Sequence, residues 1–148
     1  MFNLVRAKAK NTGETIFGEL VHKIDYNEPD KCYIHNDDIS DDIIEVYRDS
    51  VCNYTGVDDM TGKLIYLNDI VEYQDEDQYF RGVVIFTYGA YGLYKDLSEI
   101  KTGFTNFDKF FDKFISFYEI LRDNLNRTNG HVPITVIGNI FDDKELLS

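Results

Sequence analysis

Apolar positions along this chain follow two rhythms. Over most of its length they come in short runs broken by Gly, Asn and Asp clusters, the pattern of strands joined by tight turns. Leu4 to Ala9 and Thr15 to Ile24 flank Asn11-Thr12-Gly13-Glu14, which predicts a β-hairpin. In its second arm Ile16, Gly18, Leu20 and His22 share one face, and Phe17, Glu19, Val21 and Lys23 share the other. Neither face is cleanly polar, so burial on both sides is expected. Asn27-Glu28-Pro29-Asp30 breaks the chain, Cys32-Tyr33-Ile34 starts a strand, Asn36 to Asp42 is an acidic loop, and Ile43 to Tyr47 is a further strand. These segments make a small N-terminal β unit over residues 1–50.

From Val51 the spacing tightens. Two turn signals, Gly56-Val57-Asp58-Asp59 and Met60-Thr61-Gly62-Lys63, lie between apolar runs. Leu64-Ile65-Tyr66 leads through Leu67-Asn68-Asp69 into Ile70 to Tyr73, and the acidic turn Gln74-Asp75-Glu76-Asp77 leads into Tyr79 to Phe86. The run Val83-Val84-Ile85-Phe86 indicates a strand buried on both faces. Tyr88-Gly89-Ala90 turns into Tyr91 to Tyr94, and Ile134 to Phe141 is the last strand, with Gly138 a bulge or close-approach point. Five short strands of this kind suit a small barrel within residues 51–148.

The second rhythm is helical. After Gly103, Thr105 is placed as an N-cap with Asp108 in the first turn. Phe107, Phe110, Phe111, Phe114, Phe117, Tyr118, Leu121 and Leu125 then recur within an arc of about 120°. Asn129-Gly130 and Pro133 end the pattern. One amphipathic helix is therefore expected at about 105–127, inserted in the barrel region. A buried Phe or Leu contributes roughly 1.5–3 kcal/mol, so this stripe must be covered. It either caps the barrel or the β unit within the chain, or is shared between subunits. Phe110, Phe114, Phe117 and Tyr118 are the interface candidates of the second arrangement.

Composition narrows the function classes. The chain has 148 residues, 43% of them hydrophobic and 15% aromatic, enough to build one domain or two small ones. Acidic residues outnumber basic ones 27 to 15, giving a formal charge of −12. Scattered Lys and Arg on such a surface argue against direct binding to nucleic acid or to an anionic membrane. The N-terminal residues lack a signal-peptide apolar stretch, and no run reaches the roughly 18–20 apolar residues of a bilayer span. Cytoplasmic residence follows as the expectation, with Cys32 and Cys52 reduced and mostly buried.

Candidate chemistry is sparse. His22, Cys32, His35 and Cys52 nominally make a zinc set, but Cys32 and His35 are three apart on a strand and face opposite sides. The acidic groups Asp37-Asp38, Asp41-Asp42, Asp58-Asp59 and Asp75-Glu76-Asp77 lack the spacing of a calcium loop and read as solvated turns. No nucleophile elbow, Walker loop, dinucleotide fingerprint or H-E-x-x-H occurs, and Cys52–His22 or Cys32–His131 are nominal dyads with no motif behind them. No cofactor or metal is expected.

Three ordered blocks resemble the YopX-like proteins of phages and prophages. The first is Asn53-Tyr54-Thr55-Gly56 with Asp58, Gly62-Lys63, Ile65-Tyr66 and Asp69-Ile70-Val71. The second is Gly82 to Phe86 with Gly89-Ala90-Tyr91-Gly92-Leu93; the third is Val136 to Phe141 with Glu145-Leu146-Leu147. Val5-Arg6-Ala7 and Phe17-Gly18-Glu19-Leu20 echo the same family. The chain departs from it at Lys8, where members carry Trp, and at Cys52, where they favour Gly. The resemblance implies an SH3-like barrel in the C-terminal half, a phage or prophage origin, a bacterial cytoplasm, and no catalytic residues to carry over. Turn chemistry accounts for most of the shared positions: Gly56, Gly62 and Gly89 where φ is positive, Asp58 and Asp69 as turn caps. Tyr54, Gly82, Gly92 and Gly138 belong to the same structural signature.

The expectation is a mainly β chain with one helix that acts without catalysis, binding itself or a host protein. Its acidic turns and eleven Tyr residues also fit a mimic of DNA that occupies a basic groove, with solubility as the simpler use of the charge. An enzyme with an unrecognised carboxylate or thiol site is the third possibility.

Overall fold

The structure is a computed structural model that describes residues 4–21, 31–36, 40–97, 113–124 and 132–147. It is mainly β, with eleven strands and one α-helix among these residues. Two compact units divide between Tyr54 and Thr55, inside a strand.

In the first unit β1 (Leu4–Lys8), β2 (Thr15–Val21), β3 (Cys32–Asn36) and β4 (Ser40–Val46) form an antiparallel meander. Gly13, at φ +73°, closes the β1–β2 loop. The other edge of β1 is shared. Its C-terminal end meets β4 through a single Ala9–Val46 bridge, with Lys10 N–H donating to the Glu45 carbonyl at 3.0 Å and Tyr47 N–H to the Lys8 carbonyl at 2.9 Å. Its N-terminal half pairs with β5 (Cys52–Asp58) at Val5–Asn53 and Arg6–Cys52. Between the two, the chain detours through a 3-10 turn at Arg48–Ser50. Ser50 fills the resulting gap: its Oγ accepts the Lys8 N–H at 2.8 Å and donates to the Tyr47 carbonyl at 2.6 Å. The core is small, formed by Val5, Ala7, Ala9, Ile16, Ile34 and Val46.

The second unit carries the end of β5, then β6 (Leu64–Tyr66), β7 (Asp69–Gln74), β8 (Tyr79–Thr87), β9 (Ala90–Tyr94), β10 (Phe114–Ser116) and β11 (Ile134–Asn139). Its five-stranded antiparallel sheet has the order β10-β9-β8-β7-β11. Val83 and Val84 are both fully buried because each face of the sheet is covered. Val84, with Val71, Tyr73, Leu93 and Ile134, packs under Phe117 and Ile120 of the helix α1 (Phe117–Asn124). Val83 and Ile70 pack under Leu147 of the C-terminal 3-10 turn Lys144–Leu147.

Two expectations need correction. Among the described residues the pairings do not close a barrel, SH3-like or otherwise, in the C-terminal half. The sheet ends at β11, whose outer side is taken up by side chains and a turn, and at β10, a three-residue strand that runs straight into α1. The single helix at about 105–127 is also not continuous. Phe114, Ile115 and Ser116 pair with Tyr94, Leu93 and Gly92 as a strand, and α1 begins only at Phe117. Ser116 and Glu119 make a reciprocal capping box: Glu119 N–H donates to Ser116 Oγ, and Ser116 N–H to Glu119 Oε2, each at 3.2 Å. The expected helix start at Thr105, the positions Phe107, Phe110, Phe111 and Leu125, and the stop at Asn129-Gly130 lie outside the described residues, as do His22 and His131.

Candidate functional site

Asp59 organises the entry to the second unit. Gly56 lies within β5 at φ +84°, so the stretch Gly56-Val57-Asp58 is strand rather than the expected turn, and the turn follows at Asp59 to Lys63. Asp59 Oδ1 accepts Thr61 N–H at 2.8 Å, Thr61 Oγ1 at 2.7 Å and Lys63 N–H at 2.9 Å. Its Oδ2 accepts Val136 N–H at 3.0 Å. The residue is 6% exposed. Burial alone would push the carboxyl up; the bonds from the Thr61 hydroxyl and the Val136, Lys63 and Thr61 amides outweigh it and hold the group below the usual carboxylate range. Asp69 does comparable work at the β6–β7 turn, where its Oδ2 accepts Tyr66 N–H at 2.8 Å. Both acids accept backbone N–H groups of the turns in which they sit.

Two glycines are explained by close approach. A Cβ on Gly92 would run into the Ile115 carbonyl and, at 2.6 Å, the Phe114 ring, so β10 can lie against β9 only beside a bare Cα. Gly138 sits at a register shift in the β7–β11 ladder, and a Cβ there would meet the Asp143 carboxylate at 2.6 Å. Of the other signature positions, Gly62 and Gly89 take positive φ in turns, Gly82 is buried in β8, Tyr54 is half-buried in β5, and exposed Asp58 ends that strand.

The described residues include one cleft with chemical character, of about 220 Å³, in the second unit. Its floor is Tyr73, Ile115 and Ile120, and its rim is Asp75, Asp77, Gln78 and Asp123. Tyr73 stacks on Phe80 at 4.7 Å between ring centroids and donates its hydroxyl to Asp75 Oδ2 at 2.6 Å. Asp75 Oδ1 accepts the N–H groups of Asp77 and Gln78, both at 2.8 Å, which shapes the acidic turn. Three carboxylates over an apolar floor suit a cationic side chain, and no Cys, His or Ser lines the cleft.

At the other end of β8 the surface is aromatic. Thr87 and Ala90 flank a two-residue turn in which Tyr88 and Gly89 take φ of +50° and +78°. Tyr88 is 72% exposed and Phe86 54%, and Phe86 meets Tyr91 across the ladder at 4.8 Å. The expected interface group separates. Phe110 lies outside the described residues; of the other three, Phe117 is core, 4% exposed under the sheet, Phe114 is half-buried beside Gly92, and Tyr118 presents its ring, 73% exposed, with the Arg122 guanidinium 5.9 Å from its centre. Phe86 and Tyr88 escaped the sequence reading because a lone exposed aromatic in a strand looks like a core residue. The signal was Tyr88-Gly89 itself, a tip where no side chain can be buried.

No group of three or more His, Cys, Asp or Glu among the described residues is placed to hold a metal ion. Cys32 is half-buried and Cys52 buried, and neither is in a disulfide; the Cys52 thiol donates to the Ser50 carbonyl at 3.5 Å. Among the described residues no helix is long and apolar enough to cross a membrane.

Comparison with known proteins agrees with the blocks in the sequence. The family model described as YopX protein matches residues 5–148. A search of curated proteins matches nothing. Among solved structures, the crystal structure of protein EF1440 from Enterococcus faecalis is similar at a TM-score of 0.51 and 17% identity, covering 100% of this chain and 99% of that one. This likeness concerns the fold. The chain belongs to the YopX family, which makes it a phage-type protein.

Proposed function

We propose that this YopX-family chain is a non-enzymatic phage or prophage protein of the bacterial cytoplasm that works by binding proteins, itself among them. The observation that carries this reading is the aromatic end of the β8–β9 hairpin, where Phe86 at the end of β8 and Tyr88 in the two-residue turn are both exposed. Exposed apolar groups of this size favour an interface, and Tyr supplies contact area at low entropic cost. Replacing Phe86 and Tyr88 together by Asp tests it: the fold should survive, since neither ring is buried, while self-association is lost.

A second reading is favoured by the acid-rimmed cleft. Asp75, Asp77 and Asp123, on a chain of charge −12, suit a basic partner, and a host nucleic-acid-binding protein blocked by a mimic of DNA is the sharpest form of that idea. Its mark is binding that weakens steeply with salt and with Asp77→Asn and Asp123→Asn together. Catalysis ranks below both readings. Asp75 is already engaged by three donors, and the Cys52 thiol is fully buried.

A further inference from the structure

An edge strand offers unpaired N–H and C=O groups to any passing strand. β11 is an edge of the second sheet, and its sequence Ile134-Thr135-Val136-Ile137-Gly138-Asn139 is uncharged and rich in β-branched residues. Such a segment is a template for pairing with its own copy. Three of its outward groups are nevertheless occupied from within the chain. Ile134 O accepts Met60 N–H at 2.9 Å, Val136 N–H donates to Asp59 Oδ2 at 3.0 Å, and Asn139 N–H donates to Asp143 Oδ2 at 3.0 Å.

Two of these three partners are carboxylates, which only accept and carry charge to an otherwise neutral edge. Asp59 is held toward Val136 by the turn that wraps its other oxygen, and Asp143 lies so close that Gly138 has no room for a Cβ. We infer that Asp59 and Asp143 are a guard built into the fold, and that what they exclude is β11 of a second copy, paired antiparallel about a two-fold axis. The guard directs self-association away from this edge. It does not rest on the aromatic tip.

The test uses the full chain carrying Phe86→Asp and Tyr88→Asp, so that the tip contributes nothing. Adding Asp59→Ala and Asp143→Ala should raise the sedimentation mass, with concentration, to about twice that of the parent, as a closed two-fold pair requires. A further Val136→Pro removes the outward donor, which an edge position tolerates, and should restore the parent mass. An unchanged mass in a variant that still melts cooperatively overturns the inference, as does a pair that Val136→Pro leaves intact. Should the Ala variants not fold, amide exchange in the wild-type chain decides. Slow exchange at Val136 and Asn139 supports the guard, and exchange as fast as in exposed loops overturns it.

Discussion

The Asp59 carboxylate accepts the Val136 backbone N–H at 3.0 Å across 77 positions of sequence. One buried acid thereby fastens the β5–β6 turn to the last strand of the sheet. Removing it strands the Val136, Thr61 and Lys63 amides at once. With hydrogen bonds to charged groups contributing about 1.5–3 kcal/mol each, and with partial relaxation, Asp59→Ala should cost about 3 kcal/mol in urea unfolding. Asp58→Ala, at an exposed neighbour, should cost under about 0.5 kcal/mol.

The same acid predicts a pH dependence. The folded pKa of Asp59 lies below its unfolded value of about 3.9, so its stabilisation is complete above that pH and is lost as pH falls through the folded value. Asp59→Asn lacks this component. The stability gap between wild type and Asp59→Asn should therefore be constant near neutrality and narrow below about pH 4. A gap that widens on acidification would contradict the assignment.

Gly92 and Gly89 should separate by mechanism. Gly92→Ala drives a methyl into the Ile115 carbonyl and the Phe114 ring, and should cost about 3 kcal/mol while speeding amide exchange in β10. At Gly89 a Cβ meets open space but the backbone is left-handed, so Gly89→Ala should cost about 1 kcal/mol and leave β10 protected.

The capping box yields a third comparison. Ser116→Ala should destabilise by about 1 kcal/mol through loss of the α1 N-cap. Phe117→Ala empties a core position and should cost about 3–5 kcal/mol. Both are read by thermal melts.

What the sequence disclosed follows from how local each signal is. The β8–β9 hairpin was legible because Tyr88-Gly89 and the flanking apolar runs are adjacent in sequence. Of the run Val83-Val84-Ile85-Phe86 expected to be buried on both faces, only Val83 and Val84 are buried and Phe86 is exposed, because β8 runs out beyond the covered part of the sheet toward its turn. Gly138 announced its bulge as a lone Gly in a strand. The Phe-rich helix was legible at Phe117, Tyr118 and Leu121, which lie on α1, but the same spacing also admitted Phe114, which is strand. Pairing of Phe114–Ser116 with β9 overrode that periodicity at these three residues, and the S-x-x-E signature at Ser116–Glu119, which marks the start of α1, sat inside the apparent stripe. Asp59 was hidden for a different reason. Beside Asp58 it reads as half of a solvated acidic pair, and its decisive partner, Val136, is remote in sequence. The edge pairing of β1 with both β4 and β5, bridged by Ser50, was equally remote.

The most direct test of the binding account is the mass in solution of the wild-type chain and of the Phe86→Asp, Tyr88→Asp variant, by sedimentation equilibrium at low and high salt. The account predicts a salt-resistant oligomer for the wild type and a folded protein of monomer mass for the variant. A wild type that is monomeric under both conditions, or a variant that keeps the wild-type mass, would contradict it.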